Sequence, residues 1–235
     1  MRVRLPLGRG LFFLAAFAFA LFALMPLRLA LDWFGTGGRG LAAREAEGSV
    51  WLGAVREARL GPLEMGDLQT RLRALPLLVG RARLDVKGLD GGFKGAVVTA
   101  RHGFGIADVS GRLPVSGIPG IPVAAIDATD VGVMFDEGQC RGADGLVKAS
   151  LGGALAGPAL PSTLTGTARC EGGALLLTLA SQSRAETLRF RLFADGRYEA
   201  ELQFQPADPA AAERLRNAGF TAGTGGYSQR MSGRL

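Results

Sequence analysis

Two cysteines, Cys140 and Cys170, have the clearest chemistry in this sequence. Each lies at the edge of a predicted strand, close to glycine. A structural zinc site needs about four ligands, whereas two cysteines in an exported domain fit one disulfide. Closing a loop of about thirty residues contributes roughly 3 to 4 kcal/mol in the chain-entropy model. We therefore predict a disulfide, and the alternative is two independent buried thiols.

His102 is the only histidine in the chain. A hydrolytic triad, a zinc site or a general base built on it requires partners from elsewhere, and neither HExxH nor GxSxG is present. Glycine clusters at 35–40 and 103–111 resemble phosphate loops, but neither opens a long helix and no GK[ST] follows. We interpret His102 as a surface or turn histidine and these glycines as turn residues.

Two acid pairs could in principle hold a cation or act as acid and base: Asp127 with Asp130, and Asp136 with Glu137. Carboxylates on predicted hairpins more often solvate the turns. The sequence therefore predicts no catalytic, cofactor-binding or metal-binding residue and no enzymatic activity.

An apolar segment near the N-terminus predicts a transmembrane helix over residues 11–31. About 20 apolar residues suffice to cross the hydrocarbon core of a bilayer. The basic segment 1–10 precedes it, so the positive-inside rule places the N-terminus in the cytoplasm. Glycines then predict a flexible linker over 32–41, and the exported domain follows over 42–235.

A cleavable signal peptide is the alternative, because Ala18, Ala20 and Ala23 put small residues near the end of the apolar segment. The segment is long for a signal peptide, and no turn precedes a cleavage site. We favour the uncleaved anchor, although both interpretations export the remainder of the chain.

The net charge of +6 does not indicate nucleic-acid binding. The segment 1–31 has four arginines and no acid, so about +2 remains for the rest of the chain. That remainder shows no basic cluster interleaved with aromatic residues. We predict no nucleic-acid partner.

The exported region is typical of short strands separated by Gly, Pro and Asp. Polar and apolar residues alternate in 68–72 and 81–87, as in a sheet with one solvated face. Strands are predicted at 49–54, 57–60, 63–72, 79–87, 93–101, 105–113, 123–136, 145–151, 162–171, 174–181, 185–194 and 197–205. A short helix is predicted at 210–218, followed by a glycine-rich tail.

The predicted fold class is mainly β. It consists of an N-terminal transmembrane helix, an extended, curved antiparallel β-sheet or groove, or a sandwich, and one short helix near the C-terminus. Segment 114–122 contains three prolines and two glycines, so no regular element runs through it. It divides 42–235 into two possible halves.

Several short segments resemble protein N of the bacterial type II secretion system. They accompany the N-terminal anchor and the cysteine pair, and they are Gly48-Ser49-Val50-Trp51-Leu52-Gly53, Leu75-Pro76-Leu77-Leu78-Val79-Gly80, Gly166-Thr167-Ala168-Arg169-Cys170, and the tail residues Gly219, Phe220, Gly226, Tyr227 and Gly233. One departure is that Leu72 and Arg73 stand where the family often has a tryptophan.

The resemblance implies an inner-membrane accessory of the machine that moves folded proteins across the outer membrane, with a periplasmic main domain and other secretion subunits as partners. It implies that Cys140 and Cys170 are the family's periplasmic pair, and it carries over no functional residue. Trp51 is either an interface anchor or a residue that packs the first strand onto the sheet.

Two other functions remain as alternatives. An anchored, curved β-groove could handle envelope lipids, and an apolar stripe along the inner face of the sheet would favour that function. An envelope hydrolase is the third, and it lacks a nucleophile and base with readable spacing.

Overall fold

The computed structural model describes residues 7–29, 41–61, 63–115, 123–152, 163–206 and 208–234. The helices whose bounds lie within these ranges are α1 (Leu7–Ala23), α2 (Ala74–Leu77) and α3 (Pro209–Asn217). The strands are β1 (Leu41–Ala42), β2 (Glu45–Gly48), β3 (Gly53–Leu60), β4 (Leu63–Leu72), β5 (Ala82–Gly88), β6 (Phe93–Thr99), β7 (Gly103–Pro114), β8 (Val123–Asp136), β9 (Gln139–Leu151), β10 (Thr163–Glu171), β11 (Ala174–Ala180), β12 (Glu186–Leu192), β13 (Arg197–Phe204), β14 (Thr221–Gly223) and β15 (Gly226–Arg234).

All fifteen strands form one open antiparallel sheet. From β3 to β12 each strand pairs with the strand before it and the strand after it in the chain. Strands β1 and β2 both pair with β3, while β15 pairs with β13 and β14 with β15. The prediction of a mainly β, antiparallel fold is confirmed. In the described residues the sheet is single, so the alternative of a two-sheet sandwich is wrong.

One face of this sheet is apolar and buried, and we call it the inner face. Leu164, Leu202 and Phe204 on that face are almost fully buried. The described residues include no second sheet to cover them, so the sheet itself must curve around the core. Helix α3 covers part of the inner face with the buried side chain of Leu215. The ring of Phe220 also packs there, edge-on to Phe204 at 5.3 Å between centroids.

The curvature is visible where β4 meets the end of β7. The short hairpin formed by β5 and β6 lies between these two strands in the sheet. An isolated bridge nevertheless joins Leu63 to Val115. The partly buried Phe93, at the start of β6, contacts both clusters of core residues. The N-terminal strands therefore fold back towards the middle of the sheet.

The structure differs from the predicted transmembrane helix over 11–31. Helix α1 has 17 residues and ends before Pro26, which has no N–H for a helical hydrogen bond. The chain then pairs with the sheet, because Val50 donates its backbone N–H to Met25 O at 3.0 Å and Pro26 forms a bridge with Ser49. In the part of the chain that the structure describes, no helix is long and apolar enough to cross a membrane.

Two further predictions of local structure are wrong. The predicted strand 49–54 is instead a turn from Ser49 to Leu52 that joins β2 to β3, because Ser49 donates its N–H to Leu52 O at 3.0 Å. The predicted glycine-rich tail instead forms β14 and β15. Strand β15 pairs with β13 from Tyr227 to Arg234, and this backbone pairing does not require a strong apolar pattern.

The predicted short helix near the C-terminus is present as α3. Asp208 is its N-cap, and the carboxylate accepts a hydrogen bond from Ala211 N at 2.6 Å. The predicted linker 32–41 lies outside the described residues except for Leu41, as do positions 1–6 of the basic segment. Residues 116–122 also lie outside them, although the flanking strands β7 and β8 pair with each other. The division into two halves stays a prediction.

Candidate functional site

A row of apolar side chains crosses four adjacent strands on the inner face. Leu72 of β4 is opposite Leu84 of β5, Leu84 is opposite Val97 of β6, and Val97 is opposite Ile106 of β7. Phe104 lies two residues before Ile106 on the same face of β7. We call these five residues the apolar row.

The apolar row is much more exposed than the core that it adjoins. Val97 is 48% exposed and Phe104 is 51% exposed. On the next strand, β8, Val133 and Phe135 are 6% and 5% exposed, although they pair directly with Ile106 and Phe104. The rings of Phe104 and Phe135 stack with centroids 5.5 Å apart. The core therefore continues into the apolar row without a polar boundary.

The apolar row lies between two separately packed clusters. One contains Leu27, Val55, Ala58 and Leu68, around β3 and β4, and the other extends from β7 to the C-terminal end of the sheet. The region between the two clusters therefore presents partly exposed apolar surface within the curved sheet. Such a surface can accept an apolar side chain or an acyl chain, because either would remove hydrophobic area from water.

Charged residues occupy the opposite face of the same strands. The guanidinium of Arg83 on β5 donates to Asp85 at 2.9 Å, and it also donates to Asp108 on β7. This bridge passes over Ala96 of β6, which is 3% exposed. Arg73 donates to the other oxygen of Asp85. These ion pairs hold β5, β6 and β7 together behind the apolar row.

The ion pairs also alter the acidity of this face. Burial raises the pKa of Asp85, but hydrogen bonds from Arg73 and Arg83 outweigh that effect and the pKa lies below its usual value. Hydrogen bonds to Asp108 and Asp85 raise the pKa of Arg83. Both groups therefore stay charged at neutral pH and form an ion pair that stabilises the sheet.

Cys140 and Cys170 form a disulfide, with their Cα atoms 5.4 Å apart. The backbone ladder between β9 and β10 extends from the pair Ser150–Thr163 to the pair Leu146–Thr167. The disulfide lies beyond the end of this ladder, where Cys140 N also donates to Gly173 O at 2.8 Å. It therefore joins the two strands where their regular pairing has stopped.

Trp51 is half-buried within the turn between β2 and β3. Gly48 and Gly53 pair at the base of this turn, and Gly48 has a φ of +84°. A Cβ on Gly53 would lie 2.5 Å from the side chain of the buried Leu27. A larger residue at position 53 would therefore displace the Leu27 side chain. The role of Trp51 as an interface anchor stays a prediction.

The other residues with possible chemistry do not converge. His102 is exposed in the turn between β6 and β7. Asp127 lies between Arg112 and Lys148 on the neighbouring strands, and Glu137 pairs with Arg141 at 3.7 Å. Within the described ranges, no group of three His, Cys, Asp or Glu side chains could hold a metal ion.

The sequence pattern alone does not mark the apolar row. Val97, Phe104 and Ile106 fall in or beside predicted strands, but the run Ala96-Val97-Val98 gives no alternation that would mark its inner side. A bulge at Asp108, with a φ of +53°, then shifts the alternation within β7. Only the cross-strand register shows that these side chains share one face.

Comparison with protein families gives one match, to the family described as Type II secretion system (T2SS), protein N, over residues 39–230. Comparisons with curated proteins and with solved structures give no match. The matched range contains almost the entire sheet, including the turn with Trp51 and the disulfide. The resemblance seen in the short sequence segments is thereby confirmed, and this chain belongs to the type II secretion system protein N family.

Proposed function

We propose that this protein is a non-enzymatic inner-membrane component of the type II secretion system, which supports export across the outer membrane through periplasmic protein–protein contacts. Membership of the protein N family supports the secretion role. The apolar row is the observation that supports contact as its mode of action. Phe104, Val97 and Ile106 offer a patch of apolar surface continuous with the core, which suits the insertion of a partner's side chains.

The proposed location is the periplasmic side of the inner membrane, with the N-terminus in the cytoplasm. Two features support it. The Cys140–Cys170 disulfide suits an oxidising compartment. The described N-terminal segment also exposes large apolar side chains, including Phe12, Phe13 and Leu24, which favours attachment to a bilayer. Flotation with membranes and compartment-specific reporter fusions would test both points.

The decisive experiment places a photo-crosslinking amino acid at Phe104 and, as a matched control, at Leu146. Leu146 is similarly exposed but lies on the outer face among polar side chains. We expect crosslinks to other secretion subunits from position 104 and not from position 146. Equal crosslinking from both positions, or none from either, would argue against the apolar row as the contact.

A functional readout complements the crosslinking. Ile106→Glu puts a charge into the apolar row at a half-exposed position, so the sheet should tolerate it, whereas Leu146→Glu puts the same charge on the outer face. We expect reduced export of a secreted enzyme with Ile106→Glu and normal export with Leu146→Glu. Normal export with both variants, when deletion of the gene abolishes export, would contradict the proposed mode of contact.

Lipid handling is the second candidate, and the inner face of the sheet favours it. That face is apolar along much of its length, and the apolar row opens it to solvent between the two core clusters. Native mass spectrometry of the purified protein would detect a bound acyl lipid. Lipid that is retained by the parent chain and lost from Phe104→Glu would favour this function, and protein that carries no lipid would argue against it.

A further inference from the structure

The end of the sheet at which α1 joins the domain has an unusual surface. The segment that follows α1 pairs with Ser49 and Val50, which lie in the turn between β2 and β3. Antiparallel strands alternate in direction, so the loops that follow β4 and β6 lie at this same end of the sheet. The loop after β4 consists of residues 73–81, and we call it the Leu75 loop. The loop after β6 is the turn 100–102.

The Leu75 loop presents three large apolar side chains to solvent. Leu75, Leu78 and Val79 are 79%, 82% and 73% exposed. Their exposure does not come from an unfolded loop, because α2 and the turn after it are hydrogen-bonded. Arg81 N, for example, donates to Pro76 O at 3.0 Å. The backbone therefore holds these side chains outward.

The apolar character is restricted to the part of this end that lies near α1. Farther along the same end, the turns contain Glu137 and Gly138, Gly172 and Gly173, and Asp195. A general excess of surface leucine would not produce this difference. The apolar loop instead lies at the end of the sheet where Met25 and Pro26, directly after the exposed Leu24, pair with Val50 and Ser49.

Basic residues accompany the apolar loop. The pairing of Ala82 with Thr99 brings Arg81 near Arg101, and both arginines are exposed. In the part of the chain that the structure describes, neither guanidinium has an ion-pair partner. Leucine side chains with adjacent arginines match a bilayer surface, where apolar groups enter the acyl boundary and arginine contacts anionic headgroups.

We propose that the Leu75 loop inserts into the surface of an anionic bilayer, with Arg81 and Arg101 on the headgroups, so that the domain has a second membrane contact beside α1. This proposal rests on the membrane attachment proposed above. The second contact fixes the orientation of the sheet relative to the bilayer, because two points of attachment restrict tilting of the domain more than one. The apolar row would then face the periplasm at a set height above the membrane.

The test uses the full chain reconstituted into vesicles of phosphatidylethanolamine and phosphatidylglycerol. Leu78→Cys carries an environment-sensitive fluorophore, and lipid-borne quenchers report its depth. Leu89→Cys is the matched control, since Leu89 is also an exposed leucine in a turn but lies at the opposite end of the sheet. The native cysteines are bonded to each other and do not take the label.

We expect a blue-shifted, strongly quenched probe at position 78 and an aqueous, unquenched probe at position 89. Arg81→Gln with Arg101→Gln should reduce the quenching at position 78 in anionic vesicles and leave it unchanged in phosphatidylcholine vesicles. An aqueous probe at position 78 in a chain that floats with the vesicles would overturn this proposal alone. A chain that does not float would overturn the membrane attachment and this proposal together.

A protein contact at the Leu75 loop is the remaining outcome. If the probe at position 78 stays aqueous in vesicles and becomes shielded only when other secretion subunits are added, the loop binds protein, and the bilayer contact is refuted.

Discussion

Removal of the disulfide should lower the free energy of unfolding by an amount that the structure allows us to calculate. The bond joins residues separated by 30 positions, and the chain-entropy model gives about 3.6 kcal/mol for a loop of that length. Cys140 is also buried, so its replacement loses packing as well. We therefore expect about 4 kcal/mol for Cys140→Ala with Cys170→Ala, which is a large part of the stability of a typical domain.

The assay is urea unfolding of the full chain in detergent, followed by circular dichroism. Reduction of the parent protein removes only the covalent link, whereas the double variant removes the link and the sulfur atoms. The reduced parent should thus lose about 3.6 kcal/mol, and the variant slightly more. The variant should not respond to reductant, which is the control. A loss below about 1 kcal/mol in both would refute the reasoning and indicate that the unfolded chain is already restricted between the two cysteines.

Three other substitutions test the packing and the charges. Leu202→Ala, at a side chain with no exposure, should lower the free energy of unfolding by about 3 kcal/mol in the same urea assay, and a loss below about 1 kcal/mol would contradict the assigned core. Thr70→Val should raise it by about 1 kcal/mol, because the buried Thr70 hydroxyl has no hydrogen-bond partner within the described residues; a less stable variant would indicate a partner. Asp85→Asn should lower it by about 1 kcal/mol at pH 7. Because the pKa of Asp85 is lowered in the folded state, that difference should disappear as the pH falls through this pKa, below about pH 4, and a difference that persists at lower pH would contradict the assigned ion pairs.

Much of the sheet could be predicted because its local signals agree. Asp195-Gly196 marks the turn between β12 and β13, and alternation identifies strands such as β5. The two wrong predictions of local structure, at 49–54 and in the C-terminal tail, have physical causes. The turn at 49–52 contains Val50 and Trp51, which have high strand propensity, but the paired glycines on each side close it into a turn. Tertiary pairing with β13 likewise forms β15 from a segment with little propensity of its own.

The apolar row could not be predicted from the sequence for a different reason. Its residues are apolar like the core, and only their exposure distinguishes them. Exposure depends on which part of the inner face the curved sheet leaves open to solvent, and this is a property of the whole fold. Phe104 and Phe135 illustrate this, since they are directly paired and chemically identical, yet only Phe135 is buried.

The order of the strands has a consequence for how the domain is assembled. Since most strands pair with the strand made just before them, each finished strand is a template for the next, and the sheet can grow in the order of synthesis. A chain arrested midway would present its last strand as an unpaired edge, ready to capture a foreign strand. In that order, the pairing of β13 with β15 across the intervening α3 and β14 would come last.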